Sequence, residues 1–210
     1  MKKIPTLYLR DLTKNRSRVT SIPNPECQWV FDGEGVATRK WDGTACLIRD
    51  GFLFKRYDCK NGKAPPPGFE PAQDPDLDTG HWPGWVQVGY MAKSAPGPYP
   101  DANLYACPSQ GQSMADRWHF EVLPVVPELE NGTYELCGPR INGNPEGCFI
   151  HALFKHGSLT IDDAPREFQA LSQYLTLNIM EGIVFHHHDG RMAKIKSKDF
   201  GISWPPKEKK

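Results

Sequence analysis

The sequence predicts an α+β fold built of antiparallel β-sheets flanked by helices, and three observations carry that expectation. Two-residue turn signals recur at Asp50-Gly51, Asn131-Gly132 and Asp189-Gly190, each between strand-like runs, so hairpins and antiparallel pairing should dominate. A helix start is written at Asp162-Asp163-Ala164-Pro165, with Phe168, Leu171 and Leu175 following along one face. The length of 210 residues suits one domain with a real core, carrying a Pro-rich loop insertion at about 61–101.

In chain order, Ile4, Leu7, Leu9 and Leu12 form a short apolar pattern among many charges. Pro23 and Pro25 then break the chain before Gln28-Trp29-Val30-Phe31, an expected strand. Arg10, Arg16 and Arg18 either hold phosphates of RNA or a nucleotide, or lie on plain surface. Val36, Ala37 and Thr38 lead as a strand into Arg39-Lys40-Trp41-Asp42-Gly43-Thr44. Asp42-Gly43 lets the backbone turn there, so Lys40 is presented at a strand-to-loop junction. The next hairpin, Thr44–Arg49 with Phe52–Tyr57, should pair Arg49 with Phe52 and Ala45 with Arg56. That register returns Arg56 toward the Lys40 loop, where a planar guanidinium fork suits phosphate.

Prolines 65, 66, 67, 71, 75, 83, 96, 98 and 100 argue against long regular elements between Asn61 and Asp101, so a surface loop is expected. Trp82, Trp85 and Tyr90 within it either stack on bases or anchor the loop. Trp118–Val126 reads as an edge strand interrupted by Pro124, followed by a turn into Thr133–Gly138. Alternation sets Glu135 on the face opposite Tyr134 and Leu136. Cys148–Phe154 is a further apolar strand.

The last hairpin admits a geometric expectation. A two-residue turn at Asp189-Gly190 pairs Phe185 with Lys194, Ile183 with Lys196 and Glu181 with Lys198. Alternation then gathers Glu181, Lys194 and Lys196 on one face and Val184, Ala193 and Ile195 on the other. Converging cations and a carboxylate suit a metal–triphosphate site, and a solvent-facing sheet would give the same pattern.

Composition bounds the rest. Lys+Arg and Asp+Glu are equal at 25 each, so a polyanion site must come from local clustering. Basic residues do gather at Lys2, Lys3, Arg10, Lys14, Arg16 and Arg18, and again from Lys194 to Lys198. Six cysteines lack zinc-site spacing, and neither a signal peptide nor a membrane-length apolar run is present. A reduced cytoplasmic setting is expected (a host cytoplasm if the gene is viral), with the nucleus as alternative and no membrane partner. His186-His187-His188 reads as the end of a strand beside a turn.

Taken in order, K-x-D-G at Lys40, E-L-x-G at Glu135, E-G-I-V-F at Glu181 and K-x-K at Lys194 resemble the motifs of covalent nucleotidyltransferases. These are the polynucleotide ligases and mRNA capping enzymes. The resemblance is strongest to ATP-dependent RNA ligases. Gly80–Val86, Ile141–Pro145, His156-Gly157 and Gly201–Pro205 resemble a small 5′-to-3′ RNA ligase family of vertebrates.

The resemblance implies a nucleotidyltransferase (ligase adenylylation) domain that joins RNA 5′-phosphate and 3′-hydroxyl ends through a covalent lysyl-AMP. Lys40 would be the nucleophile, and Arg39, Asp42, Gly43, Arg56, Glu135, Lys194 and Lys196 would hold the nucleotide. Glu135 matches the residue that holds the ribose hydroxyls, and Glu181 would be the carboxylate for Mg2+ (or Mn2+). ATP and RNA ends would be the partners of a monomer. Capping guanylyltransferases and DNA ligases generally carry a second β-barrel domain after K-x-K, and only a dozen residues follow Lys198. An RNA ligase is therefore expected over both, and the presence of Lys40, Glu135, Glu181, Lys194 and Lys196 together favours it over a non-catalytic module that binds nucleotides or RNA ends.

Overall fold

The computed structural model describes residues 2–90, 116–122 and 129–206. Its elements in chain order are β1 (Tyr8–Arg10), β2 (Val19–Pro23), α1 (Gln28–Phe31), β3 (Val36–Lys40), β4 (Thr44–Arg49) and β5 (Phe52–Cys59). There follow β6 (Glu70–Pro71), β7 (Trp82–Tyr90), α2 (Arg117–Val122), β8 (Gly132–Cys137) and β9 (Ala152–Lys155). The chain closes with α3 (Phe168–Leu177), β10 (Gly182–His186) and β11 (Met192–Lys196). All strand pairs between these elements are antiparallel, and the residues divide into two compact units.

One unit comprises Ile4–Asp42 and His156–Lys210. Its centre is a three-stranded sheet in the order β11-β10-β3. Ala37, Ile183, Phe185, Ala193 and Ile195 form the sheet's buried face, packed with Leu171 and Leu175 of α3, Trp29 and Val30 of α1, and Leu7. Gln28–Phe31 is thus a helical turn and not the expected strand. The reason lies just upstream, where Asn24 accepts from the Glu26 N–H at 3.1 Å and Pro25 occupies the first turn. That start chemistry launches a 3-10 turn, Pro25–Cys27, which runs on into α1.

The long helix α3 opens at Phe168, later than Asp162-Asp163-Ala164-Pro165 suggested. Asp163 takes a left-handed φ of 53°, which a helix cannot continue through. The segment instead positions Arg166, which donates to the carbonyls of Val30, Glu34 and Gly35. The expected apolar face of the helix is present, with Leu171 and Leu175 buried and Phe168 packed beside them.

The hairpin of β10 and β11 differs by one residue from expectation. Ile183 pairs with Ile195, Val184 with Lys194 and Phe185 with Ala193. The turn spans three residues, His188 to Gly190, because the His187 N–H donates to the Arg191 carbonyl at 2.9 Å and the Gly190 N–H to the His187 carbonyl at 3.0 Å. Gly190 sits at φ 91°, so the loop is a type I turn closed by a glycine bulge. An Asp-Gly pair serves both loop lengths, which is why the turn residues alone did not decide the register. Val184 consequently leaves the expected core face and joins Lys194 on the opposite one.

The second unit comprises Met1–Lys3 and Gly43–Lys155, built on a six-stranded sheet in the order β6-β7-β5-β4-β8-β9. The Asp50-Gly51 hairpin has the expected register, with Arg49 opposite Phe52 and Cys46 opposite Lys55. Among the described residues, β8 pairs with β4 and β9 and with no strand directly before Asn131-Gly132. Asn131 caps the neighbouring turn, accepting from the Asp50 N–H at 2.8 Å and donating to the Asp50 carboxylate at 3.1 Å. Trp118–Val122 of the expected Trp118–Val126 strand lies in helix α2: His119 and Val122 are buried at helical spacing and Arg117 pairs with Glu121 one turn on. The rest of that expected strand, 123–126, lies outside the described residues.

The Pro-rich stretch also holds more order than expected. β7 is nine residues long despite Pro83, which sits beyond the stretch that short β6 covers. Trp85 is buried, and Trp82 packs on Phe69 and donates to the Gln73 carbonyl at 3.0 Å, so both act as anchors. The side chain of Tyr90 and residues 91–101 lie outside the described part. Of the expected Cys148–Phe154 strand only Ala152–Phe154 pairs, within β9, leaving Phe149 99% exposed. Cys27, Cys46, Cys59 and Cys137 are buried free thiols, Cys148 is half-buried and Cys107 is not described.

The register makes a direct prediction. Ile183 faces the core here, whereas the two-residue turn would set it among the lysines. Ile183→Ala should cost about 2–5 kcal/mol in denaturant unfolding through cavity formation. A loss below about 0.5 kcal/mol, as for a surface site, would return the hairpin to the other register.

Candidate active site

β3, β10 and β11 present one polar face, and its residues follow from the pairing. Lys40 lies opposite Gly182, which lies opposite Lys196; one step along, Thr38, Val184 and Lys194 form the next row. Period-two alternation therefore sets Lys40, Lys194 and Lys196 on one face of the same sheet.

Glu181, the residue before β10, closes the row. Its carboxylate accepts from Lys40 Nζ at 2.5 Å through Oε2 and from Lys196 Nζ at 2.5 Å through Oε1. The residue is only 4% exposed, so this is a buried charge compensated from both flanking strands. Glycine at 182 is required, since a Cβ there would come within 2.1 Å of the Ile195 carbonyl oxygen. Glu181 also receives the Ser197 N–H on its backbone carbonyl at 2.8 Å, fixing where the side chain departs.

The electrostatics are uneven across the three lysines. Burial, reinforced by the neighbouring Lys196 and Lys40 charges, pulls Lys194 down to about 8. Lys40 is in an ion pair with Glu181, and its Nζ also donates to the Trp41 carbonyl at 3.2 Å. Asp199, also buried, pairs with Arg10 at 2.6 Å, which gives one of the N-terminal arginines a structural partner.

The rest of the Lys40 loop is equally held. The Arg39 guanidinium stands 4.5 Å from the Trp41 ring centroid, and the Asp42 carboxylate accepts from the Trp204 indole N–H at 2.8 Å. His186, at the end of β10, shares a 3.0 Å hydrogen bond with Thr38, and burial lowers its pKa. His187 lies between the Glu34 and Asp189 carboxylates at 2.6 and 2.8 Å. Among the described residues no group of three or more His, Cys, Asp or Glu side chains is placed to hold a metal on protein ligands alone.

Gly43, Arg56 and Glu135 belong to the other unit. Glu135 is buried on β8, opposite Ala45 and Phe154, and accepts from the Gly43 N–H at 3.0 Å. Asn142, absent from the expected site, donates to the Gly43 carbonyl at 2.7 Å. A Cβ on Gly43 would meet the Leu136 carbonyl oxygen at 2.1 Å, so only glycine fits that approach. Arg56 pairs with Asp58 at 3.0 Å along β5.

A protein-family model described as RNA ligase 1 matches residues 68–210 of this chain. The chain belongs to the RNA ligase 1 family. Among curated members, RNA ligase 1 of Danio rerio is 33% identical over 141 residues, covering 60% of this chain and 42% of that protein. RNA ligase 1 of Rattus norvegicus is 27% identical over 222 residues, covering 81% of this chain and 68% of that protein. The chain thus spans less than half of the first relative and about two thirds of the second. The family match includes Glu135, Glu181, Lys194 and Lys196, while Arg39–Gly43 and Arg56 lie upstream of it. No helix among the described residues is long and apolar enough to cross a membrane.

Lys194 yields a pH prediction. Its folded pKa is depressed to about 8 from an ordinary 10.5, so between those values the unfolded chain binds more protons. Stability from this group is therefore withheld below pH 8 and recovered as pH rises toward 10.5. Lys194→Met should gain most on the parent protein near pH 7, and that advantage should shrink as melts are repeated up to pH 10. An advantage independent of pH would show that the amine is not desolvated.

Proposed function

We propose that the chain is an ATP-dependent RNA ligase acting through a covalent lysyl-AMP. The observation carrying this reading is Lys40 at the end of β3, hydrogen-bonded to Glu181 and sharing a sheet face with Lys194 and Lys196. Lys40 Nζ would attack the α-phosphorus of ATP, forming an N–P bond as the bond to the pyrophosphate oxygen breaks and the amine proton leaves. An oxygen of the RNA 5′-phosphate would then take the AMP and release lysine. Attack by a 3′-hydroxyl on that 5′-phosphorus would form the phosphodiester and release AMP.

The residues have distinct tasks in this scheme. Lys194 and Lys196 hold positive charge where the transferring phosphate accumulates negative charge, and stabilising that charge is usually the main source of rate enhancement in phosphoryl chemistry. Glu181 keeps Lys40 oriented before reaction. Glu135 would take the ribose hydroxyls, and Arg39, Asp42, Gly43 and Arg56 would complete nucleotide binding. Magnesium suits the donor set only in its common mode, one carboxylate together with nucleotide phosphates, and Glu181 is the carboxylate on that face. When bound, it would neutralise phosphate charge. RNA with 5′-phosphate and 3′-hydroxyl ends would be the substrate of a monomer.

Incubation with labelled ATP and magnesium should leave one acid-labile AMP on Lys40, and none on Lys40→Ala. Covalent AMP on Lys40→Ala sinks the assignment. GTP offered in parallel should be a poor donor; preferential GMP transfer and cap formation on diphosphate-ended RNA would indicate a capping enzyme.

Lys196→Ala and Glu181→Gln should each lower AMP transfer by on the order of a hundredfold or more. Glu181→Ala, by leaving two lysine ammoniums uncompensated, should also melt at a clearly lower temperature. Full activity of Lys196→Ala and Glu181→Gln would remove the sheet face from the mechanism.

A further inference from the structure

The segment after β11 is pegged at nearly every residue. The Lys196 N–H donates to Asp199 Oδ2 at 2.8 Å, opening a 3-10 turn over Ser197–Phe200, and Asp199 is held from the other side by Arg10. Gly201 then reverses the chain at φ 79°, where a Cβ would come within 2.3 Å of the Arg18 guanidinium. The Ile202 N–H returns to the Ser197 carbonyl at 3.1 Å, and Ile202 packs on the unit's core. The run that begins at Lys196 therefore delivers Trp204 to a fixed place.

Trp204 is 7% exposed, and its indole N–H lies 2.8 Å from Asp42 Oδ2. An indole nitrogen is a donor only, and a buried donor needs an acceptor, so ring and carboxylate hold each other. A hydrogen bond to an ionised acceptor is also about twice as strong as a neutral one. Asp42 is two residues from Lys40, and Lys40 Nζ is itself tied to the intervening Trp41 carbonyl. Displacement of Asp42 would move that carbonyl and with it one of the restraints on the amine.

We propose that Trp204 is a positioning residue: through Asp42 it holds the Lys40–Asp42 loop in register with the strand that carries Lys194 and Lys196. The role rests on the ligase reading for its effect on rate, and on geometry alone for its effect on the loop. Geometry matters because small misplacement of a reacting group is costly in rate, on the order of a hundredfold for about 1 Å.

Trp204→Phe keeps an aromatic ring and removes the donor. The expected result is a self-adenylylation rate at saturating ATP lowered roughly tenfold to a hundredfold. In an Asp42→Ala background the same change should add nothing further, because the residue through which Trp204 acts is already gone. Leu175→Ala, which loosens the core of the same unit, is the control for general destabilisation and should keep its rate per folded molecule. Multiplicative losses in the double variant, or an unchanged rate in Trp204→Phe, overturn the proposal.

Hydrogen exchange provides a readout independent of catalysis. Amides of Trp41 and Asp42 should exchange severalfold faster in Trp204→Phe while those of β10 stay protected. Unchanged exchange at Trp41 and Asp42 also overturns it. A parent protein that never acquires AMP would refute the ligase reading and leave the exchange test standing.

Discussion

One buried carboxylate organises the polar half of the β3-β10-β11 sheet. Glu181 stands at the end of the central strand and receives an ammonium from each neighbour, Lys40 from β3 and Lys196 from β11. A charge buried to this degree survives only when compensated, and removing either partner leaves the remainder poorly solvated. The arrangement therefore fixes the two outer strands against the same point. It also ties the two lysine side chains, already set opposite Gly182 by the strand pairing, to one carboxylate. Gly182 belongs to the same constraint: its missing side chain leaves room between the lysines, and the close Ile195 carbonyl leaves no alternative.

The legible and illegible parts of the sequence separate by how local their causes are. The strand ending at Lys40, the hairpin at Asp50-Gly51 and the apolar face of α3 depend on residues a few positions apart, and each is present. The register of β10 on β11 depends on one residue of loop length, and Asp-Gly is compatible with both lengths. Expectation accordingly set Lys194 and Lys196 on one face, as the pairing does, but misplaced Val184. The helical turn at Gln28 was overlooked because its cause, Asn24 and Pro25, precedes it and was read only as a breaker. Arg117–Val122 alternates well enough for either state, and burial of His119 and Val122 selects the helix.

The site shows the same division. Motif spacing picked out Lys40, Glu181, Lys194 and Lys196, and the sheet brings these four together. It could not report that Glu181 is buried between two lysines, since exposure is a property of the packed sheet and not of alternation. Trp204 and Asn142 stand in stretches that resemble the family, but their contacts were illegible for a different reason. Each acts on the K-x-D-G loop from far along the chain, Trp204 on Asp42 and Asn142 on Gly43. Long-range hydrogen bonds of this kind leave no periodic trace.

The charge balance on the sheet face has a consequence for any anion that binds there. Three lysines share this face, and at Lys194 burial and the Lys196 and Lys40 charges outweigh the opposing pull of the Glu181 and Asp199 carboxylates. A site poised in this way lowers its own energy when an anion arrives, because the ligand adds countercharge. Reciprocity follows from linkage: an anion favours the protonated form of Lys194, so protonation must favour the anion to the same extent. Anion binding near pH 8 should thus take up protons, and affinity should fall as pH rises above that value. The tension at Lys194 weakens the empty sheet slightly and would strengthen its hold on an anion. Glu181 prevents the opposite outcome, in which three uncompensated ammoniums would drive the strands apart.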